Sequence, residues 1–189
     1  MSRAYRIRVS ESLSRSLAAE DEICSHLELL EVLPPEQMTE LLREELKQRG
    51  FLEKDGLLRR TDDGVTIEID PACGEVVLSS AAERELEIEG EREGLAYDDF
   101  GPAERSVKKA LKKQLQSDLQ KQADREQGKL QSEATKRLEG HLADVQKELN
   151  QAVNRVTAEA LKRKAAQLGA IKEMTEDPQT GSLTIKVEV

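Results

Sequence analysis

Aromatic side chains are nearly missing from this chain: 189 residues include no tryptophan, two tyrosines and two phenylalanines. A core dominated by large rings is therefore excluded, and any core must be assembled from small aliphatic residues. The same scarcity removes the stacking platforms on which single-stranded nucleic acid is bound. Cysteine is scarce as well, with only Cys24 and Cys73, so a disulfide-dense secreted scaffold is excluded. No segment approaches the roughly 20 consecutive apolar residues of a membrane span. Arg3, Arg6 and Arg8 break up the N-terminus, which does not resemble a signal peptide, and a reduced, cytoplasmic protein is the expected reading. Neither G-x-x-x-x-G-K nor G-x-G-x-x-G occurs, so the chain is not itself expected to be an ATPase or a dinucleotide enzyme.

Charge is abundant and unevenly spread. The formal net charge is -9. Residues 1–103 hold 12 Lys and Arg against 25 Asp and Glu, a net of -13, whereas residues 104–168 hold 15 against 9, a net of +6. An acidic head is thus followed by a basic segment, and the two are expected to attract each other within or between chains.

That basic segment, from Ala103 to Leu168, reads as one long helix. Asp98, Asp99, Gly101 and Pro102 supply turn, cap and first-turn chemistry before it, Gly169 follows its last apolar residue, and no proline interrupts it. An apolar seam runs through Val107, Leu111, Leu115, Leu119, Ala123, Leu130, Ala134, Leu138, Leu142, Val145, Leu149, Val153 and Val156. Its step averages about 3.75 residues, nearer an eleven-residue repeat than the 3.5 of a two-stranded zipper. Gly128 and Gly140 are the two places where the helix could fold back into a hairpin. A continuous helix would be on the order of 100 Å long, with a seam too long for a small domain to bury, which predicts self-association.

In the head, Tyr5, Ile7 and Val9 alternate with Arg6, Arg8 and Ser10, the two-residue period of a strand. A second strand is expected within Leu13 to Leu33. Pro34 and Pro35 open a short helix to about Arg49, closed by Gly50. Leu57-Leu58, Val65 to Ile69 and Val76 to Leu78 form an antiparallel meander around turns at Asp62-Asp63-Gly64 and Asp70 to Gly74. A separate strand, Glu83 to Glu89, is expected next, with Gly90 and Gly94 loosening the chain beyond it. At the C-terminus, Asp177 to Gly181 joins two strands into a hairpin with Leu183, Ile185, Val187 and Val189 on its buried side. Such a hairpin is marginal alone and is expected to dock on an exposed edge or face of the head. The fold class is therefore α+β: a small, mostly antiparallel sheet with one short helix, a very long charged helix and a C-terminal β-hairpin. The expected domains are residues 1–100, 103–168 and 169–189.

No catalytic, cofactor-binding or metal site emerges. Cys24 and His26 share a strand face and Cys73 precedes a turn, but paired Cys-x-x-Cys spacing is absent and no third group orients a Cys-His dyad. His141 lies far in sequence from any nucleophile. Glu83, Glu85, Glu87, Glu89, Glu91 and Glu93 form a same-face comb that is either solvated or awaits a cation or cationic partner. Arg105, Lys108, Lys109, Lys112 and Lys113 place five cations where the helix dipole disfavours them, so an acidic surface opposite them is expected, and mutual neutralisation of comb and cluster fits both. The same cluster offers an alternative role on nucleic acid or an anionic surface, although no groove-reading motif accompanies it.

Tyr5-Arg6-Ile7-Arg8-Val9, the segment Leu27 to Met38 with Pro34-Pro35-Glu36-Gln37-Met38, and Asp177-Pro178-Gln179-Thr180-Gly181 together resemble the domain-X accessory proteins of bacterial FtsH ternary systems. Genes of that family accompany AAA+ ATPases. The resemblance implies an accessory or adaptor role beside such an ATPase and carries over no functional residue. The expected function is a non-enzymatic interaction or adaptor protein with a protein partner, an AAA+ ATPase being the candidate, and a homo-oligomer if the long helix is continuous.

Overall fold

The structure is a computed structural model that describes residues 4–97, 104–176 and 183–188. The chain is α+β. Strand β1 (Ala4–His26) leads through an irregular segment to helix α1 (Pro35–Gln48). Strands β2 (Leu52–Lys54), β3 (Leu57–Asp62), β4 (Val65–Ile69) and β5 (Glu75–Tyr97) follow, then helix α2 (Glu104–Leu168) and strands β6 (Ala170–Glu176) and β7 (Leu183–Glu188). The first five strands form one sheet in the order β1-β5-β4-β3-β2, and β6 pairs with β7 in a sheet of two. Two Asp-Gly turns set the meander's register. Asp55-Gly56 and Asp63-Gly64 have positive φ at both residues, the requirement of the two-residue hairpin turn. Lys54 accordingly pairs with Leu57, and Asp62 with Val65.

The chain divides into two compact units, to both of which β1, β5 and α2 contribute. One comprises residues 1–20 and 81–135. There β1 and β5 make a ribbon on one face of α2: Ile7, Val9 and Ala96 are buried with Leu115 and Leu119, while Leu17 and Ala19 are buried with Leu130. The other unit comprises residues 21–80 and 136–189. Its core joins Met38, Leu42 and Leu46 of α1, Leu58, Ile67, Ile69, Val76 and Leu78 of the sheet, and Leu138, Val145, Leu149 and Val156 of α2. Side chains such as Leu42, Leu46, Leu58 and Ile69 are 0 % exposed, and each such burial contributes about 1.5–3 kcal/mol.

The long helix is continuous, and every residue of its expected seam is buried or half-buried. The expectation that the seam stays uncovered within the chain is overturned. Two 23-residue strands, β1 and β5, rise about 3.3 Å per residue, so each has the reach to cover many turns of a helix. This length arises because segments expected to be separate are single strands. Ile7, Val9, Leu13 and Leu17 keep one parity, and β1 runs on to His26 before the chain leaves regular structure ahead of Leu33. Likewise the Val76 and Glu83 segments belong to one strand.

Gly90 and Gly94 do not loosen that strand; they lie inside it. A Cβ at Gly90 would stand 2.8 Å from Leu115 Cδ1, and one at Gly94 2.9 Å from Leu111 Cδ1. They are glycine because the helix's leucines press on the strand there. The expected helix-start residues Asp98, Asp99, Gly101 and Pro102, the Asp177 to Gly181 turn, Val189, and the side chains of Leu183 and Val187 lie outside what is described. In the hairpin, Ile185 is half-buried, whereas Ile171 and Met174 are exposed. Among the described residues no helix is long and apolar enough to cross a membrane.

Candidate interaction surfaces

In the unit of residues 1–20 and 81–135, strand alternation sorts charge by face. Along β5 the even-numbered positions turn to α2, and Arg92 and Arg84 reach from that side to the helix: Arg92 to Gln114 at 3.1 Å and to Asp118, Arg84 to Glu133 at 3.0 Å. The odd-numbered positions carry the glutamate comb on the outer face, where all six are exposed. Glu91 and Glu93 are met by Arg8, which donates to Glu93 at 2.7 Å, and Arg6 also approaches Glu93. Glu83, Glu85, Glu87 and Glu89 have no ion pair among the described residues. Leu95 and Tyr97 continue the same face and are 54 % and 40 % exposed.

The basic cluster occupies the start of α2. Lys112 contacts Glu11 of β1 at 2.8 Å, and its hydrogen bond holds the Glu11 carboxyl below the usual carboxylate range. Arg105, Lys108, Lys109 and Lys113 are exposed and make no ion pair among the described residues. Lys109 and Lys113 fall two positions after the seam residues Val107 and Leu111, about 200° round the helix, and so face away from the ribbon. Comb and cluster therefore do not neutralise each other there; their charge stands on separate faces.

In the unit of residues 21–80 and 136–189, His26 and Cys73 line one open cleft of about 340 Å³, together with Leu27, Leu30, Pro35 and Met38. Cys24 does not line it. Asp70 accepts the Ala72 backbone N–H at 2.8 Å, and that bond, with help from the Cys73 thiol, lowers its pKa. Both cysteines are free and exposed. Among the described residues no three His, Cys, Asp or Glu side chains converge as metal ligands. His141 is half-buried on α2.

Sequence reasoning missed a charged network beside the α1 core. Glu45, only 9 % exposed, accepts from Arg49 Nε at 2.7 Å and lies 3.5 Å from Arg155. Arg60 binds Glu148 through both terminal nitrogens and lies over the Phe51 ring at 4.5 Å. The available signal was an Arg two residues after Leu58, on the strand parity that Leu58 sets for the buried face.

These features define an α+β protein in which a helix backs a charged sheet. The chain belongs to the FtsH ternary system domain X5 family, whose model matches residues 1–189. No curated protein and no solved structure matches it.

Proposed function

We propose that this protein is a non-enzymatic adaptor that binds a protein partner within an FtsH ternary system, the AAA+ ATPase being the candidate partner. The observation that carries this reading is the separation of unneutralised charge onto two faces. Glu83, Glu85, Glu87 and Glu89 stand on the ribbon, and Arg105, Lys108, Lys109 and Lys113 on the helix, without ion pairs among the described residues. Charge held in this way steers and selects a complementary partner. Family membership supplies the system in which to look. Affinity capture from the native cell, read by mass spectrometry, tests it. An AAA+ ATPase should be recovered with the wild-type chain and lost when the four glutamates are changed to lysine; recovery that ignores the reversal contradicts the reading.

The helix cations support a second reading, binding of nucleic acid or an anionic surface. Fluorescence anisotropy with duplex DNA across a salt series separates the two. Binding that weakens steeply with salt and is lost in Lys108→Glu/Lys109→Glu/Lys113→Glu favours this second role.

A further inference from the structure

In the unit of residues 1–20 and 81–135, the ribbon has two free edges, because β5 pairs with β4 only from Val76 to Ser80 and β1 is the last strand of its sheet. Long free edges invite strand addition unless something defends them. The β5 edge is defended by the six glutamates of its comb, which repel a like-charged neighbour. Part of the β1 edge is defended differently. Gln127 Nε2 donates to the Ala18 carbonyl at 2.7 Å, and Gln131 Nε2 to the Glu20 carbonyl at 3.0 Å. Those carbonyls are served by side chains and so point away from β5. Strand alternation turns the backbone groups of Arg8, Ser10, Ser12, Ser14 and Ser16 the same way, and among the described residues no side chain caps them. This stretch has no proline and no lysine. Its two inward charges, Glu11 and Arg15, are committed to Lys112 and Asp124 of the helix.

We propose that the open stretch Arg8–Ser16 pairs antiparallel, about Ser12, with the same stretch of a second copy of this chain. Ser10 then faces Ser14 of the partner subunit, and no like charges are opposed on the outer face between Ser10 and Ser14. About ten main-chain hydrogen bonds form across such a five-pair ladder. The helices fit the same arrangement. Adjacent strands lie about 4.8 Å apart, so joining two ribbons by their β1 edges sets the ribbon centres about 9.6 Å apart. Two α-helices pack at 8–10 Å, so α2 of each copy comes beside the other. The flank of α2 over β1, from Lys112 to Gln131, includes Gln120, whose amide gives one N–H to Asp124 at 2.8 Å and keeps its second N–H and its carbonyl for that contact.

Sedimentation equilibrium of the full chain over a concentration series tests the pairing, with hydrogen exchange on the same samples. The expected result is a reversible species of twice 21.1 kDa whose amides at Ser10, Ser12, Ser14 and Ser16 lose protection on dilution. Ser12→Pro removes an outward N–H and no bond to β5, and should give a monomer. Ser10→Lys/Ser14→Lys blocks the same edge by repulsion and decides the matter should the proline variant misfold. A wild-type chain that stays at 21.1 kDa, or a dimer that survives both variants, overturns the proposal. Neither outcome bears on capture of an ATPase, so the adaptor reading stands or falls separately.

Discussion

Arg60 on β3 and Glu148 on α2, 88 residues apart, meet through two hydrogen bonds of 2.8 and 2.7 Å. The same guanidinium donates to Asp62 at 2.7 Å and to the Arg49 carbonyl at 2.8 Å. Neither partner is more than 27 % exposed, so the pair is shielded from much of the screening that weakens surface ion pairs. Glu148→Ala should therefore cost about 2–3 kcal/mol of unfolding free energy. Glu68→Ala, which removes the partner of half-exposed Arg59, should cost only about 0.5 kcal/mol. Urea unfolding of the two variants checks the order; equal losses would show that the Arg60 network is no stronger than a surface pair.

The same pair predicts how stability responds to acid. The hydrogen bond from Arg60, followed by its charge, holds the Glu148 carboxyl below its ordinary value. A carboxylate whose folded pKa is depressed contributes stability that is fully present above its unfolded pKa, about 4.3, and is lost as pH falls through the lower folded value. The stability difference between wild type and Glu148→Gln should be constant near neutrality and shrink below about pH 4.3. Urea melts at successive pH values measure it, and a gap that widens in acid would contradict the assigned direction.

Four glycines separate into two pairs with opposite expectations. Gly90→Ala and Gly94→Ala push a methyl group against Leu115 and Leu111 and should each destabilise by about 1–3 kcal/mol. At Gly128 and Gly140 an added Cβ meets nothing within 4 Å, so alanine there should stabilise by about 0.5–1 kcal/mol through helix propensity. Thermal melts of the four single variants decide it; destabilisation by Gly128→Ala would indicate a non-helical backbone at that point.

Cys24 is exposed and outside the cleft that His26 and Cys73 line. Cys24→Ser should leave the melting temperature unchanged, and elemental analysis should find no stoichiometric metal. One zinc per chain, lost on substituting His26 or Cys73, would reveal a site assembled from residues that the described structure does not bring together.

Much of the fold is legible in the sequence because periodicity reports burial. Every seam residue from Val107 to Val156 is buried or half-buried, and α1 ends within a residue or two of its Pro and Gly marks. Strand length was not legible. Gly90 and Gly94 read as breaks since a sequence records missing side chains without showing the leucines that fill their space. The expectation of an uncovered seam followed from that error, for short strands could not have spanned it. Of the surfaces, the comb and the basic cluster stand out as charge runs. Their placement on separate faces, the Arg60 to Glu148 contact and the Gln127 cap on Ala18 depend on pairs about 90 or more residues apart in sequence, which no local pattern records.

One unbroken helix, its seam covered by the chain's own strands and by α1, organises the fold. Amide hydrogen exchange along residues 104–168 tests this most directly, because an uncovered or folded-back helix opens where its packing stops. The prediction is sustained protection through the seam from Leu115 to Val156, continuing across Gly128 and Gly140 without a gap. A run of fast-exchanging amides at either glycine, or fast exchange along the whole seam, would contradict it.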